Sequence, residues 1–442
     1  MNTVATKRLL TLSAALTVGV SAFAVSTFVP SDAFAAAGMR YGAVRTSKTT
    51  PGKKGYFDGK SYELSLYVSP TFGYESNYKY TNADIEGSAF FAASAGAELK
   101  YRPSSKLYLR GELSAGLLMP LADTSLTGFI VELPLLLFYK LTDDFQLFVS
   151  NHIAVERERS PPVFFDTDVF QSLIRESKTI VYLAVYEQLR PAVAWRPLKN
   201  LMVDAGPYFR VKQVQFNQNP ADSDPDYRLF DVGGDIAVGY RFLKHFRVRA
   251  HYDFAYRIYQ NIPPRESNNL QIAGEELRAL RHYADIRLGY GTKMFSVFAG
   301  YGIRLNSDNG GSLDYTEHHL LAGAGFFYKE LFSLTAQVSA ASRSYNNRTP
   351  CEASRTNPTD RTFEQCLTGP NAEKNAPQST GESLIGARAE AVVNITDWMQ
   401  VMLTYEMEDA GASGASVPIG SPIVEDPQGA NHRVMGGVSL SI

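Results

Sequence analysis

Histidine and cysteine are the residue types best suited to metal binding and nucleophilic catalysis, but their spacing in this chain favours neither. The seven histidines are scattered along the sequence: His152, His245, His251, His282, His318, His319 and His432. The sequence contains no G-x-S-x-G segment and no cluster of paired cysteines. We therefore predict no enzymatic activity, no cofactor and no metal site. A hydrolase site assembled from the side chains of separate strands is the alternative.

Arginine offers a different chemistry, and it is concentrated on one side of the stretch 246–258. The even positions of this stretch are apolar throughout, from Phe246 to Ile258. The odd positions carry mostly charged side chains: Arg247, Arg249, His251, Asp253 and Arg257. A period of two places successive side chains on opposite faces of a β-strand. A long strand with one apolar face and one ionised face is typical of a wall that separates lipid from water.

The same alternation recurs along the chain in a regular order of strand, long polar loop, strand and very short turn. The short turns fall at seven places: 103–106, 142–144, 196–200, 243–245, 291–293, 329–331 and 394–397. This order predicts about sixteen strands, within a range of about 14 to 18, whose ends both lie on one side. We therefore predict an all-β fold, a closed antiparallel transmembrane β-barrel over residues 61–442.

The N-terminal segment has the pattern of a cleaved secretory signal peptide over residues 1–35. Lys7 and Arg8 precede an apolar run, and Ala33 to Ala35 form an A-x-A cleavage site. An uncleaved membrane anchor is the alternative. Residues 36–60 are basic and show no period, so we predict a flexible periplasmic tail.

The overall composition excludes one class of partner. The formal net charge is -2, which argues against a dedicated nucleic-acid-binding protein. The mean hydropathy of -0.17 is the average expected of a wall that faces lipid on one side and water on the other.

Two further features concern the membrane boundary and the end of the chain. Aromatic residues flank the short turns and predict a periplasmic girdle: Tyr101, Tyr139, Phe145, Trp195, Phe242, Phe246, Tyr290, Phe295, Tyr328, Phe332 and Trp398. The last strand alternates from Val434 to the final residue, Ile442. In architecture, signal peptide and closing strand, residues 62–442 resemble the porin-like outer-membrane β-barrels of Gram-negative bacteria. Ile442 departs from the terminal aromatic residue most common in that group.

The resemblance implies a location in the bacterial outer membrane, and sixteen strands would leave room for an aqueous lumen. The predicted lumen has a basic arc: Arg190, Arg210, Lys212, Arg241, Arg247, Arg249, Arg257, Arg281 and Arg287. An acidic arc would face it: Glu98, Glu112, Glu390 and Glu406. Such a field orients dipolar solutes and rejects apolar ones. In the alternative, the charges pair across strands and hold the wall together, for example Arg247 and Arg249 with Asp231, Asp235 or Asp285.

The loop at 157–178 is unusual because it combines apolar and acidic residues. General porins narrow their pores with an inward-folded acidic third loop, and this is the third long loop of the chain. The resemblance therefore implies a constriction built from four residues: Phe164, Phe165, Asp166 and Asp168. A loop helix packed on the rim or on a partner is the alternative. The preceding strand, 129–141, is apolar on both faces, as if a loop or a neighbouring subunit covered it.

The two cysteines lie in the longest loop. Cys351 and Cys366 would meet in a compartment that oxidises thiols, so we predict a structural disulfide rather than two free thiols. Closing a loop of this length would stabilise the fold by about 3 kcal/mol.

Three functions are compatible with the sequence. The first is a porin-like outer-membrane channel that lets small hydrophilic solutes pass through a charged lumen. The second is an export conduit for a surface or secreted polysaccharide, which would need separate periplasmic partners. The third is a structural barrel that anchors a surface complex. The expected partners are outer-membrane lipid, the solute or polymer, and either further copies in a homotrimer or periplasmic and surface proteins.

Overall fold

A computed structural model shows the fold. It describes residues 62–77, 86–160, 180–216, 227–261, 264, 272, 274–311, 313–329, 331–346, 381–413 and 429–441. The signal peptide and the N-terminal tail lie outside these ranges. So do the predicted constriction at Phe164, Phe165, Asp166 and Asp168 and the predicted disulfide between Cys351 and Cys366.

Sixteen strands make up almost all of the described chain. The first eight are β1 Tyr62–Glu75, β2 Ser88–Tyr101, β3 Leu107–Pro120, β4 Gly128–Lys140, β5 Phe145–Ser160, β6 Ile180–Leu198, β7 Leu201–Phe216 and β8 Tyr227–Phe242. The second eight are β9 Phe246–Gln260, β10 Leu277–Gly291, β11 Phe295–Asp308, β12 Tyr315–Tyr328, β13 Phe332–Tyr345, β14 Gly381–Asn394, β15 Met399–Ser413 and β16 Gly429–Ser441. One 3₁₀ turn, Thr124–Leu126, precedes β4. Within the described ranges no helix has the length and apolarity to cross a bilayer.

The strands form a closed barrel, which confirms the predicted fold. Each strand pairs antiparallel with its neighbours in sequence, and β1 pairs with β16 to complete the circle. Across that closing seam Tyr74 lies opposite Val434, and Thr71 lies opposite Gly437. Closure leaves no unpaired edge strand, so the backbone groups of the wall bond between neighbouring strands, as hydrocarbon surroundings require.

The two faces of the wall have opposite character. Large apolar side chains point outward and are exposed, such as Phe72 at 63% and Leu320 at 58%. Ionised side chains point inward and are covered by their neighbours, such as Asp231 at 0% and Glu317 at 1%. This is the reverse of a soluble protein, because the solvent around the barrel is lipid.

The aromatic residues beside the short turns lie together on the outer surface at that end of the barrel. The rings of Phe242 and Phe246 have centroids 5.4 Å apart, and those of Phe246 and Tyr290 are 4.9 Å apart. Trp195 and Trp398 are half exposed there. Short turns mark the periplasmic end of such barrels, and we use that name for this end.

The apolar inner face of β4 is covered by side chains of its own barrel. Leu136 and Phe138 pack against the buried cluster of Phe148, Ala192 and Ala194 on β5 and β6. The cover predicted to come from a loop or a neighbouring subunit is therefore supplied, for these two residues, by the adjacent strands.

The charged lining as the candidate functional site

A network of ion pairs crosses the middle of the lining from β6 to β10. Arg190 on β6 lies 2.5 Å from Asp204 on β7 and 2.6 Å from Asp235 on β8. Its guanidinium also lies over the ring of Phe148, 5.0 Å from the centroid. Because Arg190 bonds to residues one and two strands away, this middle network ties three strands together on their inner face.

Histidine continues the middle network toward β10. The Nδ1 atom of His251 lies 3.0 Å from Asp285, and its Nε2 atom lies 3.8 Å from Asp235. Asp285 in turn lies 3.0 Å from Arg287. Asp235 and Asp285 are therefore each shared between two basic side chains, Asp204 bonds to Arg190, and none of the three carboxylates faces the lumen alone.

Nearer the long-loop end, an arginine clamp joins β7, β8 and β9. Arg257 donates two hydrogen bonds of 2.7 Å to the two carboxylate oxygens of Asp231. Arg210 donates to the same carboxylate at 3.2 Å. A third bond, from Arg257 Nη1 to the Tyr259 hydroxyl, measures 3.3 Å. Bidentate pairing of this kind fixes the guanidinium in one orientation.

A second clamp of the same design joins β11, β12 and β13. Glu317 accepts a 2.8 Å hydrogen bond from Arg304 and a 2.6 Å bond from Arg343. Arg343 also bonds to the Tyr345 hydroxyl at 3.3 Å and lies 4.2 Å from the ring centroid of Tyr315. Both clamps use the order arginine, any residue, tyrosine along one strand, with an acidic acceptor on the strand before it.

The closing seam has its own network. Arg433 on β16 lies 2.8 Å from Glu75 on β1 and 3.2 Å from Glu406 on β15. Arg388 on β14 lies 2.7 Å from Glu390 and 3.5 Å from Glu406. Charge-assisted contacts therefore hold the first and last strands together in addition to the backbone pairing.

At the periplasmic end, acidic and basic residues of β1 to β3 also pair. Glu98 lies 2.5 Å from Arg110 and 3.0 Å from Lys100, which lies 2.9 Å from Glu63. Glu112 lies 3.5 Å from Arg110. In the turn between β4 and β5, Lys140 contacts Asp143, and the hydrogen bond from Lys140 lowers the pKa of the Asp143 carboxyl below its usual value.

The same end of β8 and β9 is different. Arg241 and Arg247 lie directly opposite each other across the two strands, point inward and are exposed. Neither has a carboxylate partner among the described residues. Three exposed lysines occupy the turns of this sector: Lys199, Lys244 and Lys293. We call Arg241, Arg247 and these three lysines the basic mouth.

Like charges also face each other one step further into the barrel. Arg249 lies directly opposite Arg287 across β9 and β10. Cross-strand pairs of like charge destabilise a sheet. Carboxylates of the middle network lie beside this second pair, with Asp285 3.0 Å from Arg287, whereas the pair of Arg241 and Arg247 has no acidic partner among the described residues.

All the predicted lining residues in the described ranges lie on inward positions. Most of the basic ones, however, pair with acidic residues of neighbouring strands and not with an acidic arc across the lumen. Arg190, Arg210 and Arg257 pair with aspartates of β7 and β8, and Lys212 lies 3.4 Å from Glu156. Arg281 is buried in the wall. On the acidic side, Glu98, Glu390 and Glu406 pair with arginines and lysine. Among the predicted lining residues, Arg241 and Arg247 are the pair that has no carboxylate partner in the described ranges.

Sequence reasoning missed Asp204, Glu75 and Arg343 as lining residues. A signal for them existed, since each stands at an inward position of its alternating run and faces an opposite charge on a neighbouring strand. Across the described part of the chain, no group of three or more metal-ligating side chains is arranged to hold an ion.

Closure, an apolar outer belt and an ionised interior together define a bacterial outer-membrane β-barrel, and the outer membrane is the location of this protein. No protein-family model matches the chain, and no curated protein matches it by sequence.

Solved structures of outer-membrane proteins are similar to it in fold. One is the trimer form of OmpT of Vibrio cholerae, with 11% identity, 87% of this chain and 100% of the other covered, and a TM-score of 0.43. Another is Salmonella typhi OmpF in complex with daunomycin, with 10% identity, 87% and 99% covered, and a TM-score of 0.42. A third is Pseudomonas putida OprB, with 11% identity, 87% and 94% covered, and a TM-score of 0.43.

Proposed function

We propose that the protein is an outer-membrane channel through which small hydrophilic solutes diffuse, with a preference for anions. The observation that carries this proposal is the basic mouth, where Arg241 and Arg247 face each other inside the wall without an acidic partner among the described residues. Elsewhere in the lining, the arginines of the clamps and the seam are held by carboxylates.

The physical basis of the preference is the sign of the exposed charge. Arginines that bond to a carboxylate contribute less potential to the lumen, because the negative charge at hydrogen-bonding distance offsets part of theirs. Arg241 and Arg247 in the basic mouth have no such carboxylate among the described residues, so the mouth raises the local concentration of anions at the periplasmic opening. Rings and patches of arginine and lysine give anion selectivity to water-filled pores. Barrels of sixteen strands are wide enough to hold such a pore.

Planar-bilayer recording of the purified protein tests the proposal. The wild type should conduct. In a potassium chloride gradient, its reversal potential should lie between zero and the equilibrium potential of chloride. The double variant R241Q/R247Q should keep its conductance within about twofold and lose most of the anion preference, because two unpaired charges leave the mouth.

A matched control removes the same amount of charge elsewhere at the periplasmic end. The variant K106Q/K329Q loses two lysines from the turns after β2 and β12, outside the basic mouth. It should keep the selectivity of the wild type. A purified barrel that does not conduct would overturn the channel and favour a filled, structural barrel. A conducting barrel with unchanged selectivity in R241Q/R247Q would overturn only the anion preference.

Export of an acidic polysaccharide is the second candidate. The basic mouth favours it specifically, because a polymer leaving the cell would meet this end first. Deletion of the gene should then remove an acidic surface polymer, and R241Q/R247Q should reduce its amount. Unchanged surface polymer in the deletion strain would exclude this candidate and leave the diffusion channel untouched.

A further inference from the structure

Three tyrosine–histidine pairs recur on the lipid-facing surface of the barrel. Tyr252 contacts His282 at 2.7 Å, Tyr301 contacts His318 at 2.6 Å, and Tyr405 contacts His432 at 2.9 Å, in each case from the hydroxyl to Nδ1. The two rings of each pair stack, with interplanar angles of 25°, 26° and 27°. The lining described above does not involve these residues.

The three pairs occupy equivalent places in the wall. Each tyrosine stands six positions after the first residue of its strand, from 246 to 252, 295 to 301 and 399 to 405. Each histidine lies on the following strand, two positions from the residue directly opposite the tyrosine. In the first pair, for example, Tyr252 lies opposite Ala284, and His282 is two positions from Ala284. The repeat therefore places all three pairs at one height.

That height lies in the outer half of the membrane. A strand that rises 3.4 Å per residue and is tilted by about 40° climbs roughly 2.5 Å per residue along the barrel axis. Six positions above the periplasmic strand ends correspond to roughly 15 Å, and the histidines lie a few ångströms higher in an apolar band about 25 Å tall. The neighbours of the pairs on the same face are exposed apolar residues, such as Phe254, Leu280 and Leu320.

Each pair has one donor hydrogen left over. A tyrosine hydroxyl and a neutral imidazole carry one donor hydrogen each, and only one of the two is used between the rings. The other belongs either to Nε2 or to the hydroxyl, depending on the tautomer. A donor without an acceptor is costly next to hydrocarbon, so a polar group of a bound molecule should accept from it.

The charge above the pairs identifies that group on one side of the barrel. Arg278 stands on the outward face of β10, four positions beyond His282 toward the long-loop end, and Arg228 occupies the same edge on β8. Both are exposed, and Arg228 bonds to Gln213 at 3.2 Å. Arginine at this edge attracts anionic head groups.

We propose that the outward face of β8 to β12 binds the phosphate-bearing head group of an outer-leaflet lipid. Arg228 and Arg278 hold the phosphate at the membrane edge. The pairs Tyr252–His282 and Tyr301–His318, about 10 Å apart because one strand separates the two histidines, donate to the ester or amide oxygens below it. The proposal is independent of whether the barrel conducts.

The third tyrosine–histidine pair serves as an internal control. Above Tyr405–His432 the exposed outward residue is Asp409, not an arginine. A carboxylate repels a phosphate, so this sector should not select an anionic lipid.

Native mass spectrometry of the detergent-solubilised protein, titrated with phosphatidylglycerol and with phosphatidylcholine of the same acyl chains, tests the proposal. The wild type should retain phosphatidylglycerol at least about fivefold more strongly, as one arginine at a membrane edge provides. R278Q/H282F should lose that preference, and H432F should keep it. Inorganic phosphate alone should not bind measurably to the wild type or to either variant, because it lacks the acyl oxygens.

Folding is checked separately, by the slower gel migration of each variant after boiling in detergent. Equal binding of the two lipids by the wild type would overturn the proposal. So would an undiminished preference in folded R278Q/H282F, or an equal loss in H432F. Tight binding of free phosphate would show that the arginines hold an ion and no lipid.

Discussion

The clamps near the long-loop end and the basic mouth at the periplasmic end use arginine in opposite ways. In the clamps, Arg257 and Arg343 each bond to a buried carboxylate and to a tyrosine hydroxyl, so each guanidinium is fixed and part of its charge is offset. In the basic mouth, Arg241 and Arg247 face only each other across their strands. Because the residue type is the same, the cross-strand neighbour decides whether an arginine stabilises the wall or presents charge to the lumen.

The largest effect on the free energy of unfolding is expected from breaking a clamp. E317Q leaves Arg304 and Arg343 buried beside a neutral amide, and loss of one member of a buried ion pair costs about 3–5 kcal/mol. Urea unfolding followed by the fluorescence of the two tryptophans, Trp195 and Trp398, measures the change. E63Q breaks the half-exposed pair with Lys100 and should cost less than about 1 kcal/mol. Equal losses of unfolding free energy in the two variants would show that the buried clamp stabilises the barrel no more than a half-exposed ion pair does.

Packing differs between the first clamp and the basic mouth as well. A Cβ atom at Gly233, near the first clamp, would lie 2.2 Å from the Phe254 carbonyl oxygen and 2.7 Å from the Tyr208 ring. At Gly239, near the basic mouth, its nearest neighbour would be 4.0 Å away. G233A should therefore lower the free energy of unfolding by about 1–3 kcal/mol, whereas G239A should stay within about 0.5 kcal/mol of the wild type. Similar values for the two would contradict the difference in packing.

An acidic residue added to the basic mouth should make it resemble a clamp. Gly239 lies directly opposite Arg249 and two positions from Arg241, on the same inward face. G239D should stabilise the barrel by about 0.5–1 kcal/mol through new ion pairs and should reduce the anion preference. G239N, which has the same size but no charge, is the control. If G239N reduced the preference equally, the effect would come from blocking the pore and not from charge.

The smallest effect on stability is expected from emptying the basic mouth. R241Q/R247Q removes a pair of like charges that face each other, so the free energy of unfolding should rise by a few tenths of a kcal/mol, at most about 1 kcal/mol. The urea midpoint, measured at low salt where charge repulsion is strongest, detects this. A clear loss of stability would mean that these arginines hold the wall, as those of the clamps do.

Much of the fold could be predicted from the sequence, because a period of two fixes which face of each strand meets lipid. The alternation over 246–258 and the short turns gave the strand number and closure. The ion pairs could not be predicted in the same way, since they depend on register. Arg190 reaches Asp235 two strands away, past an irregular register between β6 and β7.

The lipid-facing histidines were also missed. They have a signal in the sequence, because His282, His318 and His432 each interrupt a row of apolar residues at outward positions. Their tyrosine partners stand in apolar rows where an aromatic residue is unremarkable. Only the pairing of strands shows that the two belong together.

Cysteine accessibility in a reconstituted bilayer tests most directly whether the ionised face lines a water-filled lumen. In a background with Cys351 and Cys366 replaced by serine, Arg247→Cys should react with a membrane-impermeant sulfonate thiol reagent and its anion current should fall. Ala250→Cys, on the outward face of the same strand, should stay unmodified in lipid. Modification of Ala250→Cys with protection of Arg247→Cys, or modification of Arg247→Cys without any change in current, would contradict the account.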